Sequence, residues 1–195
     1  MKFLLIFSSV MRSEEQIVIN SHLRFLAACA MITLLAGCAS PASRQELVVE
    51  ETSFGTRHPY SVFVIAGGGG ETDATGYTNI SNEDLEGAIK ESIIKSGLFS
   101  SVAKTHDADY KLSVNLVSMS KPMFGLSFTI DMEMSWSLVN TKTGAAVMRE
   151  SIKSSHTTGG GEAFAAVTRI RMAVERAAEK NIRQGLQKIA GLPLN

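Results

Sequence analysis

From Phe124 to Leu138 every even position is apolar: Phe124, Leu126, Phe128, Ile130, Met132, Met134, Trp136 and Leu138. The odd positions between them are Gly125, Ser127, Thr129, Asp131, Glu133, Ser135 and Ser137. A helix turns through about 3.6 residues, so period two held over that length excludes it. The stretch predicts a long antiparallel strand with one buried face and one wet face. Such a strand must find partners along both edges and a cover for its apolar side. That demand organises the reading of everything around it.

The neighbours supply partners. "SVFVIA", Ser61 to Ala66, is β-branched and aromatic, and lies between Pro59 and Gly67. In "YKLSVNLVSM" Tyr110, Leu112, Val114 and Leu116 alternate with Lys111, Ser113 and Asn115, a second half-buried strand. "SKPM" makes the turn into the long strand, "NTKTG" the hairpin turn out of it, and "AAVMRESIKSS" the return strand. "LFSSV" and the turn "HDAD" fill the space before Tyr110, and "ELVVEET" reads as either a short strand or an extended arm.

Two helices supply the cover. The first has Ser81 as N-cap, Asp84 at N3, and Ile80 and Leu85 at the spacing of a hydrophobic staple. Leu85, Ile89 and Ile93 share one face, and Gly97 followed by Leu98 ends it. The last runs from about 162 to 190, with Phe164, Val167, Ile170, Val174, Ala178, Ile182, Leu186 and Ile189 spaced by threes and fours. The expected order is strand, helix, three-strand meander, helix. The wet face of the long strand places both helices on one side. The fold class is α+β: a two-layer sandwich, mostly antiparallel, of about four strands, with a right-handed first crossover.

Ahead of this lies a different kind of sequence. Phe25 to Gly37 is an apolar block of 13 residues, roughly 20 Å as a helix against about 30 Å of bilayer core. Arg24 precedes it, and Ala36 and Gly37 close it. Positive flank, short apolar run and small residues describe a secretory signal peptide. The expected organisation is a leader over 1–37, a linker and arm over 38–58, and one domain over 59–195. Glu14 and Glu15 do not suit the charged start of a leader, which places the expected translation start at Met11 or nearer Leu23.

Leu35-Ala36-Gly37-Cys38 resembles the lipobox of bacterial lipoproteins. The resemblance implies diacylglyceryl transfer to the Cys38 thiol, cleavage before Cys38 and acylation of the freed amine. Several acyl chains on one residue anchor durably where a single chain is marginal. Ala39 and Ser40 follow in place of an Asp, which by the same resemblance points to the outer membrane of a Gram-negative cell. Cys29 leaves with the leader and Cys38 is capped, so the processed chain has no thiol for redox or metal work. The order of elements over about 60 to 190, with "AIKESIIKSGLFSSV", "ADYKLSVNLVSM" and "SWSLVNTKTG", is similar to small envelope lipoproteins. These are the YajG-type lipoproteins, the auxiliary lipoproteins of ABC-type envelope transport, and the lipopolysaccharide-assembly lipoprotein that partners a barrel. The resemblance implies the fold and carries over no catalytic residue.

Candidate chemistry is sparse. Gly67 to Gly70 follow a strand, but no Lys follows and eleven residues separate them from Asn82, so a phosphate loop fails. Gly159 to Gly161 precede the last helix, and the two runs are candidate lips at one end of the sandwich. His106 to Asp109 carry ligand-type side chains at turn spacing, and His58 and His156 have no partner at a readable spacing. Asp131 and Glu133 share a strand face, where solvated carboxylates outweigh an acid–base pair. Met119, Met123, Met132, Met134, Met148 and Met172 suit either core filling or an apolar ligand. Lys and Arg balance Asp and Glu at 19 each, which gives nucleic-acid binding no support. No metal, cofactor or catalytic residue is expected.

The leading expectation is a non-catalytic, lipid-anchored accessory or assembly factor facing the periplasm. It would hold the outer membrane through lipid on Cys38 and meet an envelope protein partner through its hydroxyl-rich sheet face or Gly-rich end. A carrier of a lipid or apolar ligand between sheet and helices is the second reading, and a hydrolase or transferase the third.

Overall fold

The computed structural model describes residues 39–50, 53–72, 77–122 and 124–195. The elements are α1 (Arg44–Leu47), β1 (His58–Gly67), α2 (Asn82–Ser96), β2 (Phe99–Val102), β3 (Tyr110–Met119), β4 (Phe128–Asn140), β5 (Ala146–Thr158) and α3 (Ala166–Ala190). The five strands form one mixed sheet in the order β2-β1-β3-β4-β5. β1 runs parallel to both β2 and β3, and β3-β4-β5 is an antiparallel meander. The two-layer α+β sandwich stands. The fifth strand is "LFSSV", too short to announce itself but able to pair with β1 once α2 carries the chain back. The expected leader over 1–37 and the expected lipidation site Cys38 lie outside the described residues.

The even stripe forms the core. Phe128, Ile130, Met132, Met134, Trp136 and Leu138 are buried, together with Val62, Val64, Tyr110, Leu112 and Val114 of the neighbouring strands. Leu85, Ile89 and Ile93 of α2 and Val174, Ala178, Ile182, Leu186 and Ile189 of α3 close over all of these but Phe128 in one cluster. Met132, Met134 and Met148 are core filling here.

Two element boundaries differ from expectation. β4 begins at Phe128, so Phe124 and Leu126 fall outside it. β3 pairs no further than Met132 and β5 no further than Phe128, so the chain before that has no ladder partner. Gly125, at φ 145°, also leaves the extended conformation. α3 begins at Ala166, behind an Ala165 N-cap that offers no side-chain bond. Arg169 holds the entry instead, donating from Nη1 to the carbonyls of Ala163 (2.6 Å) and Phe164 (2.9 Å) and lying over the Phe128 ring.

The helix signals of α2 hold. Ser81 Oγ accepts the Asp84 N–H at 3.0 Å, Ile80 and Leu85 are both buried, and Gly97 closes the helix with φ 61°. The segment read as linker and arm is docked across the helical layer. Leu47, Val48 and Val49 are buried, the Val49 N–H donates to Ser92 Oγ (2.9 Å), and the Ser43 N–H donates to Glu175 Oε1 (2.9 Å). Among the described residues no helix is long and apolar enough to cross a membrane.

Candidate functional site

With α2 and α3 on one side, the other side of the sheet is left open. Period two then dictates its composition. Register brings Ser113 opposite Ser137, Asn115 opposite Ser135, Ser135 opposite Ser151, Glu133 opposite Lys153, Asp131 opposite Ser155 and Thr129 opposite Thr157. Over β3–β5 the result is a face of hydroxyls with a few charges, and β1 adds the half-buried Phe63 and Ile65 beside Lys111 and Ser113.

A bulge in β3 extends that face. The register shifts between Leu116 and Ser118, leaving Val117 as the extra residue, 58% exposed. Beyond it, Ser118 pairs with Glu133, so the even positions of β3 now join the odd positions of β4. Ser120 accepts the Asp131 N–H on its hydroxyl (2.8 Å) and donates its own N–H to the Asp131 carbonyl (2.8 Å). Ser118, Ser120, Asp131, Glu133, Lys153 and Ser155 thereby line a shallow groove of about 580 Å³. A second hollow of about 370 Å³ lies along the same face between Ser135, Ser137, Arg149 and Ser151.

The two carboxylates in this face do not form a pair. Glu133 is bonded to the Ser151 hydroxyl and lies 3.7 Å from Lys153 Nζ, while the Asp131 backbone is tied to Ser120. Thr129 and Thr157 share a hydroxyl bond of 2.8 Å. The face offers donors and acceptors on neighbouring strands, which lie about 4.8 Å apart.

The other sequence candidates fall elsewhere, and Asp109, His106 and His58 have structural tasks. The Asp109 carboxylate accepts the Ser61 N–H (2.9 Å), the Ser61 hydroxyl (2.8 Å) and Lys142 Nζ (2.9 Å), tying β1 to the β4–β5 hairpin. Those bonds, the Ser61 N–H first and Lys142 next, hold it well below the ordinary carboxylate range. His106 packs its ring against Phe63, centroids 4.3 Å apart. His58 is buried, with Nε2 3.1 Å from the Ile189 carbonyl oxygen, and His156 sits near the other end of the sheet on β5. Among the described residues no three His, Cys, Asp or Glu side chains are placed to hold a metal ion. The first Gly run is strapped to α2: the Gly69 N–H donates to Asn82 Oδ1 (2.8 Å) and the Gly70 N–H to the Ile80 carbonyl (3.0 Å). Gly68 is required there, since a Cβ would lie 2.1 Å from the Leu116 carbonyl oxygen.

The strand directions bring both Gly runs to the same end of the sheet, as the sequence suggested. What sequence reasoning missed is what accompanies them. Phe124, Leu126 and Phe164, assigned by periodicity to buried stripes, are 90%, 82% and 93% exposed at that end. The signal available was their place next to Gly125 and the run 159–161, beyond the reach of the β3 and β5 ladders.

No protein-family model matches the chain. No curated protein matches it either. Solved structures do. Protein XCC0632 from Xanthomonas campestris, of family DUF330, aligns at a TM-score of 0.56 and 11% identity, over 78% of this chain and 92% of that one. The hypothetical protein CT253 from Chlamydia trachomatis aligns at 0.52 and 9% identity, over 70% and 98%. Lipoprotein B from Nitrosomonas europaea aligns more loosely, at 0.45 and 12%, over 73% and 86%. At such identities the first two likenesses speak for architecture alone, and in architecture this chain is similar to XCC0632 and CT253.

Proposed function

We propose that this chain is a lipid-anchored envelope lipoprotein that serves as a non-catalytic accessory or assembly factor for a membrane complex. Its open sheet face is the surface that meets the partner. The observation that carries the reading is that face itself. One side of a five-stranded sheet is left uncovered by helices, and its hydroxyls, Arg149, Lys153 and Asp131 are arrayed along two adjoining hollows. The lipobox-like Leu35-Ala36-Gly37-Cys38 supports acylation of Cys38, and Ala39-Ser40 supports the outer membrane as its destination. Buried side chains filling the space between sheet and helices favour this reading over a carrier that encloses an apolar ligand there.

The test is site-specific photocrosslinking in cells producing the full chain. A benzophenone amino acid at Ser135 or Ser151 gives a discrete higher-mass adduct, and one at Ile94 on α2 does not. Equal, diffuse adducts from all three positions reject the face as a docking surface. Metabolic labelling with an alkyne fatty acid checks the anchor separately: label is lost in Cys38→Ser.

A further inference from the structure

Three large apolar side chains stand in solvent at one end of the sandwich, and the chain enters the fold at that same end. Phe124 and Leu126 precede β4, and Phe164 follows β5. The two loops touch: a Cβ built on Gly160 would lie 3.6 Å from Leu126 Cβ. The start of the described chain is tied in beside them. The Ser40 carbonyl accepts the Thr78 hydroxyl (2.9 Å), the Ala42 N–H donates to the Asn79 carbonyl (3.1 Å), and the adjacent Tyr77 hydroxyl donates to the Pro122 carbonyl (2.5 Å). Contacts thus run from Ser40 through Tyr77 to Pro122, two residues from Phe124.

Tether length turns this into a commitment. Cys38 is two residues from Ser40 and four from the buried Ala42. At about 3.5 Å per residue the fold starts within about 7–14 Å of Cys38. A lipid on Cys38 would leave no slack for the domain to stand off from the bilayer, so the end bearing Ser40 must face it. Exposed Phe and Leu side chains at that end then reach the headgroup–acyl boundary, where such side chains of interfacial segments bury. The charges there are compatible: Lys121 lies over the Tyr77 ring, and the Glu162 carboxylate is engaged by the Gly159 N–H at 2.6 Å.

We propose that Phe124, Leu126 and Phe164 form a second, non-covalent membrane contact that seats this end of the sandwich on a phospholipid surface. The proposal rests on the lipoprotein reading for its geometry. Seating would turn the sheet on edge to the membrane, with the open face directed along the bilayer plane toward a neighbouring membrane protein.

The experiment uses the full chain as processed in cells, reconstituted into phosphatidylethanolamine–phosphatidylglycerol vesicles containing brominated lipid. Tryptophan is placed by Phe124→Trp, Phe164→Trp and, as an exposed control, Ile94→Trp. Trp136, the only native tryptophan, is buried and gives a constant background. Quenching at Phe124→Trp and Phe164→Trp at least twofold above Ile94→Trp supports the proposal. Quenching equal to the control overturns it, and if the chain is acylated the lipoprotein reading survives that failure. Absence of acylation with quenching retained removes the anchor while leaving the lipid contact. Dimers that shield the two new tryptophans without bromolipid quenching overturn the proposal in favour of a second copy. Circular dichroism of each variant verifies the fold.

Discussion

Trp136 and Asn181 meet across the interface between β4 and α3, the indole Nε1–H donating to Asn181 Oδ1 at 3.1 Å. Asn181 Nδ2 donates in turn to the Ile152 carbonyl (2.8 Å) and to Ser154 Oγ (3.2 Å), and the Ser154 hydroxyl donates to the Ala177 carbonyl (2.8 Å). One buried amide thus ties two strands to the long helix. Buried polar groups so fully partnered specify a unique packing, and become costly when one member is removed.

Asn181→Ala leaves the Trp136 N–H and the Ile152 carbonyl without this partner in a closed core. The expected loss is about 2–6 kcal/mol, from roughly 1–3 kcal/mol for each of the two orphaned buried groups. Urea unfolding followed by Trp136 fluorescence measures it. A loss below about 0.5 kcal/mol would show that the network contributes little.

Gly185 faces the same indole. A Cβ there would lie 2.4 Å from Trp136 Cζ2, against a ring only 1% exposed. Gly185→Ala gains about 1 kcal/mol of helix propensity but forces overpacking that costs about 1–3 kcal/mol, so net destabilisation is expected. Combining it with Trp136→Phe should cost less than the sum of the two single changes, because the smaller ring vacates the contested space. Thermal unfolding by circular dichroism gives all four corners of the cycle.

Two carboxylates act with opposite sign on acid stability. Asp109 is held below its ordinary value of 3.8, so its contribution is full above that value and is lost as pH falls toward the folded-state value. Asp109→Asn should therefore flatten the acid limb of the stability curve below about pH 5. Glu175 is raised above its ordinary value of 4.5, by burial first, against the Ser43 N–H and Arg171. Its penalty grows as pH rises from that ordinary value through the folded value. Glu175→Gln should match or exceed the parent in stability at pH 7, with the gap closing near pH 4. Denaturant midpoints at half-unit pH steps separate the two.

Ser92 is the fastening of the arm, its hydroxyl accepting the Val49 N–H and donating to the Ala88 carbonyl at 2.7 Å. Ser92→Ala should cost about 1–2 kcal/mol and loosen residues 42–50 before the rest of the fold. Limited proteolysis should then cut earlier in that segment. Unchanged cleavage would mean that the remaining contacts, the buried Leu47, Val48 and Val49 and the Ser43 N–H bond to Glu175, hold the arm without Ser92.

Local chemistry made much of this fold legible in advance. The capping residues Ser81, Asp84 and Gly97 bound α2 because caps act within one turn of the chain, and the stripe of β4 declares its buried face because pleating is intrinsic to a strand. The limits of those elements were another matter. Phe124, Leu126 and Phe164 continue the apolar pattern by sequence, yet a strand extends only as far as its ladder partners and a helix only as far as its entry is held. Val117 and Ser120 were likewise silent, since a bulge is a property of two paired strands.

The sequence by itself determined a period-two strand and two amphipathic helices, each encoded within a few contiguous residues, and it carries the lipobox-like Leu35-Ala36-Gly37-Cys38 on which the proposed leader and anchor rest. Only the tertiary structure decided that "LFSSV" pairs parallel with β1, that 42–49 pack on the helices, and that three apolar side chains gather at the end where the chain enters. Those outcomes depend on which distant segments compete for the same hydrogen bonds and the same apolar surface, and no local window contains that competition.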